Sequence, residues 1–438
     1  MSIEQAVQSK LECCMNEIEQ HLDSSFDKIN NLIDQLFILD DPIKKNFSAN
    51  LEVQLPKINE FHSIGQSMVQ FNMIEELIQL INQKIKEKSE IQQLQLHQDY
   101  QQPQLKDKDN KIKSQSQINL KPFTYEIIQN NSIKQLNCCR AFAFNKDCSI
   151  IAIGCNSQII IHQFKQGIQQ QIQVLDQDKG SVHTLNFMKK SNQLISGYQH
   201  NTIIIWSINN NNQWVCSQTI QEHNSQINCL IVNNNEDLFI SGSHDKTIKF
   251  WIKKNEWICQ QTITEHQNQV NSISLNDSQN KVISCGKDKF ILIIEYSEQN
   301  KNWIVIQKIN VDCFGNRLCF IDDNLFTFKP IEGNLMQVYE MNNVSKSFNK
   351  TKDVIVNQGN DYYMFFPQQY INSKQLLVNR HDKYVEFIRK TENGQFEIQQ
   401  SIQFNTKCIF GSLSDEGDYL ITWEDSSKEI QIRKYRQE

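Results

Sequence analysis

Residues 226–266 read QINCLIVNNNEDLFISGSHDKTIKFWIKKNEWICQQTITEH, and the same pattern stands on both sides of them. Upstream, residues 181–223 read SVHTLNFMKKSNQLISGYQHNTIIIWSINNNNQWVCSQTIQEH; downstream, residues 269–309 read QVNSISLNDSQNKVISCGKDKFILIIEYSEQNKNWIVIQKI. The register is tight. Val182, Ile227 and Val270 stand 45 and 43 residues apart, and Trp206 and Trp251 stand 45 apart. Each unit contains four short runs of alternating apolar and polar residues separated by polar turns, the period-two pattern of half-buried strands. A repeat of about 40 to 45 residues with four strands is the signature of a β-propeller blade.

The stretch Ser241-Gly242-Ser243-His244-Asp245-Lys246-Thr247-Ile248-Lys249-Phe250-Trp251, with the pairs Glu222-His223 and Glu265-His266, resembles the WD40 family. The Asp that usually follows the Trp in that family is replaced here by Ser207 and Ile252. Fainter copies flank the clear units: Ile153-Gly154 to His162 upstream, and His381 to Phe387 downstream, the latter echoing His244 to Phe250. Met336 to Tyr339 and Ile430 to Arg433 fit third-strand positions of two more units. Residues 131–438 accommodate seven units of about 44 residues, so a mostly β, seven-bladed WD40 propeller is expected over residues 122–438. Its last blade reaches only a third strand before residue 438. Residues 123–128 (FTYEII) alternate like a strand and are expected to close that blade, removing an open sheet edge.

The resemblance also implies a hydrogen-bonded chain of His, Ser, Asp and Trp inside a blade. By position, His223, Ser241, Asp245 and Trp251 form a full set. The next unit keeps His266, Ser284 and Asp288 but has Ile294 in place of the Trp; the preceding one keeps Ser196 and Trp206, with Asp178 and His200 out of place. Such sets satisfy polar groups that would be costly to bury alone. Trp214, Trp257 and Trp303 begin the outer strands of successive units. Their repetition favours packing, with an aromatic band on the side of the ring as the competing reading.

No catalytic chemistry is expected. Ser243, His244 and Asp245 are adjacent in a turn and point apart, whereas nucleophilic catalysis needs three groups converging beside an oxyanion site. GxSxG, GxxxxGK and HExxH patterns are missing from the sequence. The ten histidines and 13 cysteines show no ligand spacing, so neither a metal nor any other cofactor is expected. The cysteines read as reduced thiols, mostly small core hydrophobes.

Composition narrows the partners. The 44 Lys+Arg against 50 Asp+Glu give a net charge of -6, which supplies no field for nucleic acid. The longest apolar runs, such as Phe290 to Ile294, fall far short of the roughly 20 residues a membrane span needs, and the acidic, polar start (MSIEQAVQSKLECC) does not read as a secretory signal. A cytoplasmic location is expected. The abundant Asn and Gln, including Asn209 to Asn212, read as compositional drift in solvated loops.

Residues 1–90 carry two apolar stripes at helical spacing. One runs from Val7 through Leu11, Ile18, Leu22, Phe26, Ile29 and Ile33 to Leu36; the other from Ile58 through Phe61, Met68, Phe71, Ile78 and Ile81 to Ile85. An α-helical hairpin or coiled-coil module is expected there, joined to the propeller by a Gln-rich polar linker over residues 91–121. A homo-oligomer held by residues 1–90, most simply a dimer, follows from the unpaired apolar surface.

These readings converge on a non-enzymatic scaffold for other proteins. Two narrower roles stand beside it. The units Trp206 to Cys216 and Trp251 to Cys259, each followed by Thr-Ile and an acidic-His pair, resemble blades of the WD40 subunit of the cytosolic iron-sulfur cluster assembly targeting complex. A substrate receptor for ubiquitin ligation is the other, although the Trp-Asp-x-Arg motif common in such receptors is missing after Trp206 and Trp251.

Overall fold

The structure, a computed structural model, describes residues 121–437 except 130, 166, 178, 362 and 392. The helical module expected over residues 1–90, all but the last residue of the expected linker, and Asp178 lie outside the described residues.

Seven antiparallel sheets follow one another along the chain. Two short strands come first, β1 (Phe123–Ile127) and β2 (Ile133–Lys134). Blade 1 is β3 (Cys139–Phe144), β4 (Ile150–Cys155), β5 (Gln158–Lys165) and β6 (Ile168–Asp176). Blade 2 is β7 (Val182–Phe187), β8 (Leu194–Tyr198), β9 (Ile203–Ile208) and β10 (Trp214–Ile220). Blade 3 is β11 (Ile227–Val232), β12 (Leu238–Ser243), β13 (Ile248–Lys253) and β14 (Trp257–Ile263). Blade 4 is β15 (Val270–Leu275), β16 (Lys281–Gly286), β17 (Phe290–Ser297) and β18 (Asn302–Asn310). Blade 5 is β19 (Gly315–Asp322), β20 (Leu325–Pro330), β21 (Glu332–Asn342) and β22 (Ser347–Asn360). Blade 6 is β23 (Gln369–Ile371), β24 (Leu376–His381), β25 (Tyr384–Lys390) and β26 (Phe396–Gln403). Blade 7 has β27 (Ile409–Leu413), β28 (Tyr419–Glu424) and β29 (Glu429–Gln437), and β1 and β2 both pair with β29 as its outer strand. This is a seven-bladed β-propeller. The inner strand of blade 7, β27, packs beside that of blade 1, β3, and completes the ring.

The second and third strands are buried on both faces, as a blade sandwiched between two neighbours requires. In β12, Phe239, Ile240, Ser241, Gly242 and Ser243 are all buried; in β17 so are Ile291, Leu292, Ile293 and Ile294. The three repeated tryptophans pack inward. Trp214 meets Phe187, Trp257 meets Phe239 and Trp303 stacks on Phe250, with ring centroids 5.7, 4.8 and 4.7 Å apart. All three are buried, so they form no band on the side of the ring.

Asparagine shapes the hairpins. The Asn233 side-chain carbonyl accepts the Asp237 and Leu238 N–H groups, and Asn276 accepts those of Asn280 and Lys281, closing the turns between first and second strands. Asn209 does the same for Asn211 and Gln213, so the first residue of the Asn209 to Asn212 run builds a turn rather than merely filling a loop.

Glutamine joins the blades. Gln173 on β6 donates through Nε2 to the Trp214 carbonyl and accepts the Trp214 N–H through Oε1, both at 2.8 Å. Gln218 makes the same pair of bonds with Trp257, Gln261 with Trp303 and Gln307 with Phe348. Gln400 repeats it with Tyr125, the residue that β1 brings into blade 7. Between blades 5 and 6 the place is taken by Lys352, whose ammonium donates to the Gly394 carbonyl at 3.0 Å. Each amide thus acts like one more peptide unit, bonding the backbone of the next outer strand.

The cysteine reading needs correction. Cys139 and Cys155 form a disulfide. They are 16 residues apart in sequence, but the β3–β4 hairpin places them directly opposite, with Cα atoms 4.0 Å apart. The Asn156 N–H bonds the Cys138 carbonyl, so the pair is non-hydrogen-bonded, the closer of the two antiparallel pairings. Spacing along the chain could not reveal this, because it follows from strand register. Nine of the other cysteines are described, and all nine are free.

The glutamine clasp predicts a local contrast. Gln261→Ala removes two hydrogen bonds and should cost about 1 to 2 kcal/mol, whereas Gln260→Ala, at an exposed position one residue earlier, should leave the urea midpoint within about 0.5 kcal/mol of wild type.

Candidate functional site

Three polar arrangements could carry function: the repeat-encoded side-chain chains, the wall of the axial channel, and a charged cluster beneath its mouth.

The first begins at His223. Its Nδ1 lies 2.8 Å from Asp245 Oδ2 and its Nε2 lies 2.7 Å from Ser241 Oγ, while Trp251 Nε1 donates to the same hydroxyl at 2.8 Å. Indole is only a donor, so Ser241 accepts from Trp251 and passes its own proton to His223 Nε2. That leaves the imidazole proton on Nδ1, facing Asp245. Asp245 also accepts the Asn224 and Thr247 N–H groups and the Thr247 hydroxyl. Burial pushes its carboxyl up, but the hydrogen bonds from His223, Thr247 and Asn224 outweigh this and hold it well below the usual carboxylate range.

In blade 4, His266 lies 2.9 Å from both Asp288 Oδ2 and Ser284 Oγ, and Ile294 fills the place of the Trp. Asp288 is lowered for the same reason, His266 overcoming burial. In blade 2 the structure joins Ser196 to Trp206 at 2.8 Å, and His200 is exposed. His183, which occupies the place of Asn228, sits on the inner strand β7 with Nδ1 3.2 Å from the Ile227 carbonyl.

None of these serines is poised as a nucleophile. Ser241 is fully buried and its hydroxyl is engaged on both sides. In the Ser243-His244-Asp245 turn, Ser243 donates to backbone carbonyls, His244 faces Gln226 and Asp245 faces His223, so the three side chains diverge. Among the described residues no group of three His, Cys, Asp or Glu side chains could hold a metal, and no helix is long and apolar enough to cross a membrane.

The channel wall is a second ladder. Asn228 donates to the Val270 carbonyl at 2.7 Å, Asn271 to Gly315 at 3.2 Å and Asn316 to Asp361 at 2.9 Å, each spanning adjacent inner strands or the connection beyond. At the end of this run the β22–β23 connection, residues 361–368, folds over the channel. Phe365 reaches His183 of blade 2, with rings 4.4 Å apart, and Phe410 of blade 7 at 6.3 Å, which places it across the axis as a stopper. Tyr363 lies against Phe410 and remains 43% exposed at the mouth.

The stopper is held from below by charge. Asp361 receives Arg317 on one carboxylate oxygen and Arg380 on the other, and all three are buried. Arg317 also donates to the Phe366 and Tyr363 carbonyls at 2.6 and 2.7 Å, and Arg380 to those of Tyr363 and Lys407. Burial lowers Arg317 to about 10, Asp361 opposing the change, so the guanidinium stays charged at neutral pH. Lys329 is lowered to about 8 by burial, against the pull of Asp361 and Glu386, while it donates to the Pro330 and Gly333 carbonyls. His381 is held neutral, near 4, by burial and the Lys329 charge. This cluster escaped the sequence reading; its one signal was charge inside apolar strands, as at Arg317 in Gly315–Asp322 and Arg380 in Leu376–His381.

Comparison with known proteins supplies the class. The family model described as WD domain, G-beta repeat matches residues 214–251 and 257–295. Together with the seven blades, these matches define a WD40-repeat β-propeller. Each matched segment runs from the outer strand of one blade to the third strand of the next, so each of these two repeats stitches two blades together. A search of curated proteins finds no match to this chain.

Two measurements test the buried chains. Asp245→Ala should cost about 1 to 3 kcal/mol or more and exceed the cost of Asp288→Ala, because only the former leaves a serine shared with a tryptophan; urea midpoints with unchanged slopes report the difference. Both aspartates are lowered in the folded state, so below about pH 4 the unfolded chain binds more protons and stability falls with falling pH. Asp245→Asn should therefore flatten the loss of stability between about pH 4 and pH 2.

Proposed function

We propose that this chain is a non-enzymatic scaffold that seats other proteins on the mouth of its channel, and that residues 1–90 join its copies into a dimer. The observation that carries the first part is the anchored stopper. Two buried guanidinium groups fix the backbone of residues 361–366, so Tyr363 is presented from a rigid base, and the exposed Leu136, which precedes inner strand β3, stands on the same face. A fixed aromatic group on the same face as an exposed aliphatic one is the kind of anchor protein interfaces use. Rigid presentation also lowers the entropy lost on binding. The second part is supported by the two apolar stripes between Val7 and Ile85.

Affinity capture with the full chain should recover proteins that Tyr363→Ala and Leu136→Asp both lose while the melting temperature is kept. Unchanged capture by both variants would reject this face. Light scattering should give a dimer for the full chain and a monomer for residues 118–438; a monomeric full chain at micromolar concentration would reject the dimer.

A further inference from the structure

Where blade 7 meets blade 1, two thiols face each other. Cys138 immediately precedes β3 and Cys408 immediately precedes β27, the two inner strands that pack side by side. The two residues occupy the same position at the start of neighbouring inner strands, and both pack on the same apolar cluster, which includes Phe142, Ile153, Phe410 and Trp423. The backbone holds both in place: the Cys138 carbonyl accepts Asn156 N–H at 3.0 Å, and the Cys408 carbonyl accepts Asp425 N–H at 3.1 Å. Both residues are partly exposed, so a small oxidant can reach them.

We infer that Cys138 and Cys408 are a peroxide-reactive pair whose disulfide locks the ring. From Cys138 to Cys408 the chain travels once around the axis, so a bond between them makes the ring a covalent loop. Beyond that loop, Cys138 also leads back to β2 and β1, which complete blade 7 only through hydrogen bonds.

The electrostatics assign the roles. The Cys408 hydrogen bond lowers the Cys138 thiol to about 7 against the cost of burial, helped by the Arg140 and Lys428 charges and opposed by Asp425. Cys408, as the donor, is raised. Burial lifts Cys148 to about 11, lifts Cys229 and Cys319 to about 12, and raises Cys285 as well, which leaves those thiols poor nucleophiles. Cys138 thiolate therefore attacks the hydroperoxide. An S–O bond forms, the O–O bond breaks, and the departing alkoxide or hydroxide takes a proton. Cys408 sulfur then attacks the sulfenic acid; the S–S bond forms, the S–O bond breaks, and water leaves with the Cys408 proton. In sum, two thiols and one hydroperoxide give a disulfide, an alcohol or water, and one further water. The Cys139–Cys155 disulfide is a spectator.

The test uses the full chain and hydrogen peroxide. Peptide mapping without reductant should find Cys138 joined to Cys408 in wild type. In Cys408→Ser, dimedone should trap the sulfenic acid at Cys138 and leave Cys229, Cys285 and Cys319 unlabelled. Peroxide should raise the wild-type melting temperature by about 5 °C, and leave Cys138→Ser and Cys408→Ser unshifted. Oxidation of Cys138 no faster than that of the exposed Cys216, or no linked peptide once Cys138 is oxidised, would overturn the assignment. The mapping on wild type stands even where a variant folds poorly.

Discussion

Pairing of β29 with β1 and β2 is the contact on which the ring depends. Every other blade is made from consecutive strands, whereas this one joins residues 123–134 to residues 409–437. Closing a loop of about 300 residues costs roughly 5 kcal/mol of chain entropy, because the cost grows only as the logarithm of length. Against it stand five paired residues on β1 and two buried aromatic side chains. Tyr125 stacks on Phe387 at 4.3 Å and donates its hydroxyl to the Gly417 carbonyl at 2.6 Å, and Phe123 stacks on Tyr435 at 5.2 Å. Burying one such ring is worth about 2 to 3 kcal/mol, so the two rings alone offset the closure. The pairing also covers what would otherwise be a bare edge of β29.

The ring is held together largely by side-chain amides. Asparagines close hairpins and cross between inner strands, and glutamines clasp outer strands, so residues that look like drift in the composition supply bonds that a packed apolar core cannot. The junction between blades 5 and 6 departs from this scheme. There the polar work falls to Asp361 between two arginines, an arrangement in which loss of the carboxylate would leave two buried cations facing each other, a far larger penalty than the loss of one amide pair.

Blades 2 to 4 were legible in the sequence because their marks recur at fixed intervals: Val182, Ile227 and Val270 at the inner strand, Ser196, Ser241 and Ser284 at the second. Seven blades followed from the repeat length. The members of the His223 chain were named from the resemblance to WD40 repeats, carried over by register, since each occupies one position of a repeating unit. Blades 5 and 6 were harder to read because Thr327 and Asn379 stand where blades 2 to 4 have serine, and because their charged cluster joins residues up to 63 positions apart that no repeat relates. The Cys139–Cys155 bridge was hidden for a similar reason, since it depends on which residues of two strands lie opposite. The glutamine clasps recur at nearly the blade period, at Gln173, Gln218, Gln261 and Gln307, yet in a chain so rich in glutamine the recurrence is lost in the background.

The register of the closing pair has a mechanical consequence. Phe123 lies opposite Gln437 and Ile127 opposite Arg433, so the chain leaves β1 and β29 at the same end of the sheet. A load pulling these two points apart meets the backbone bonds one at a time, like a zipper, rather than all together in shear. The same pairing that resists heat as a unit would therefore peel under a modest force. Tethered through both points, the propeller would open first at blade 7, leaving six blades still folded behind it.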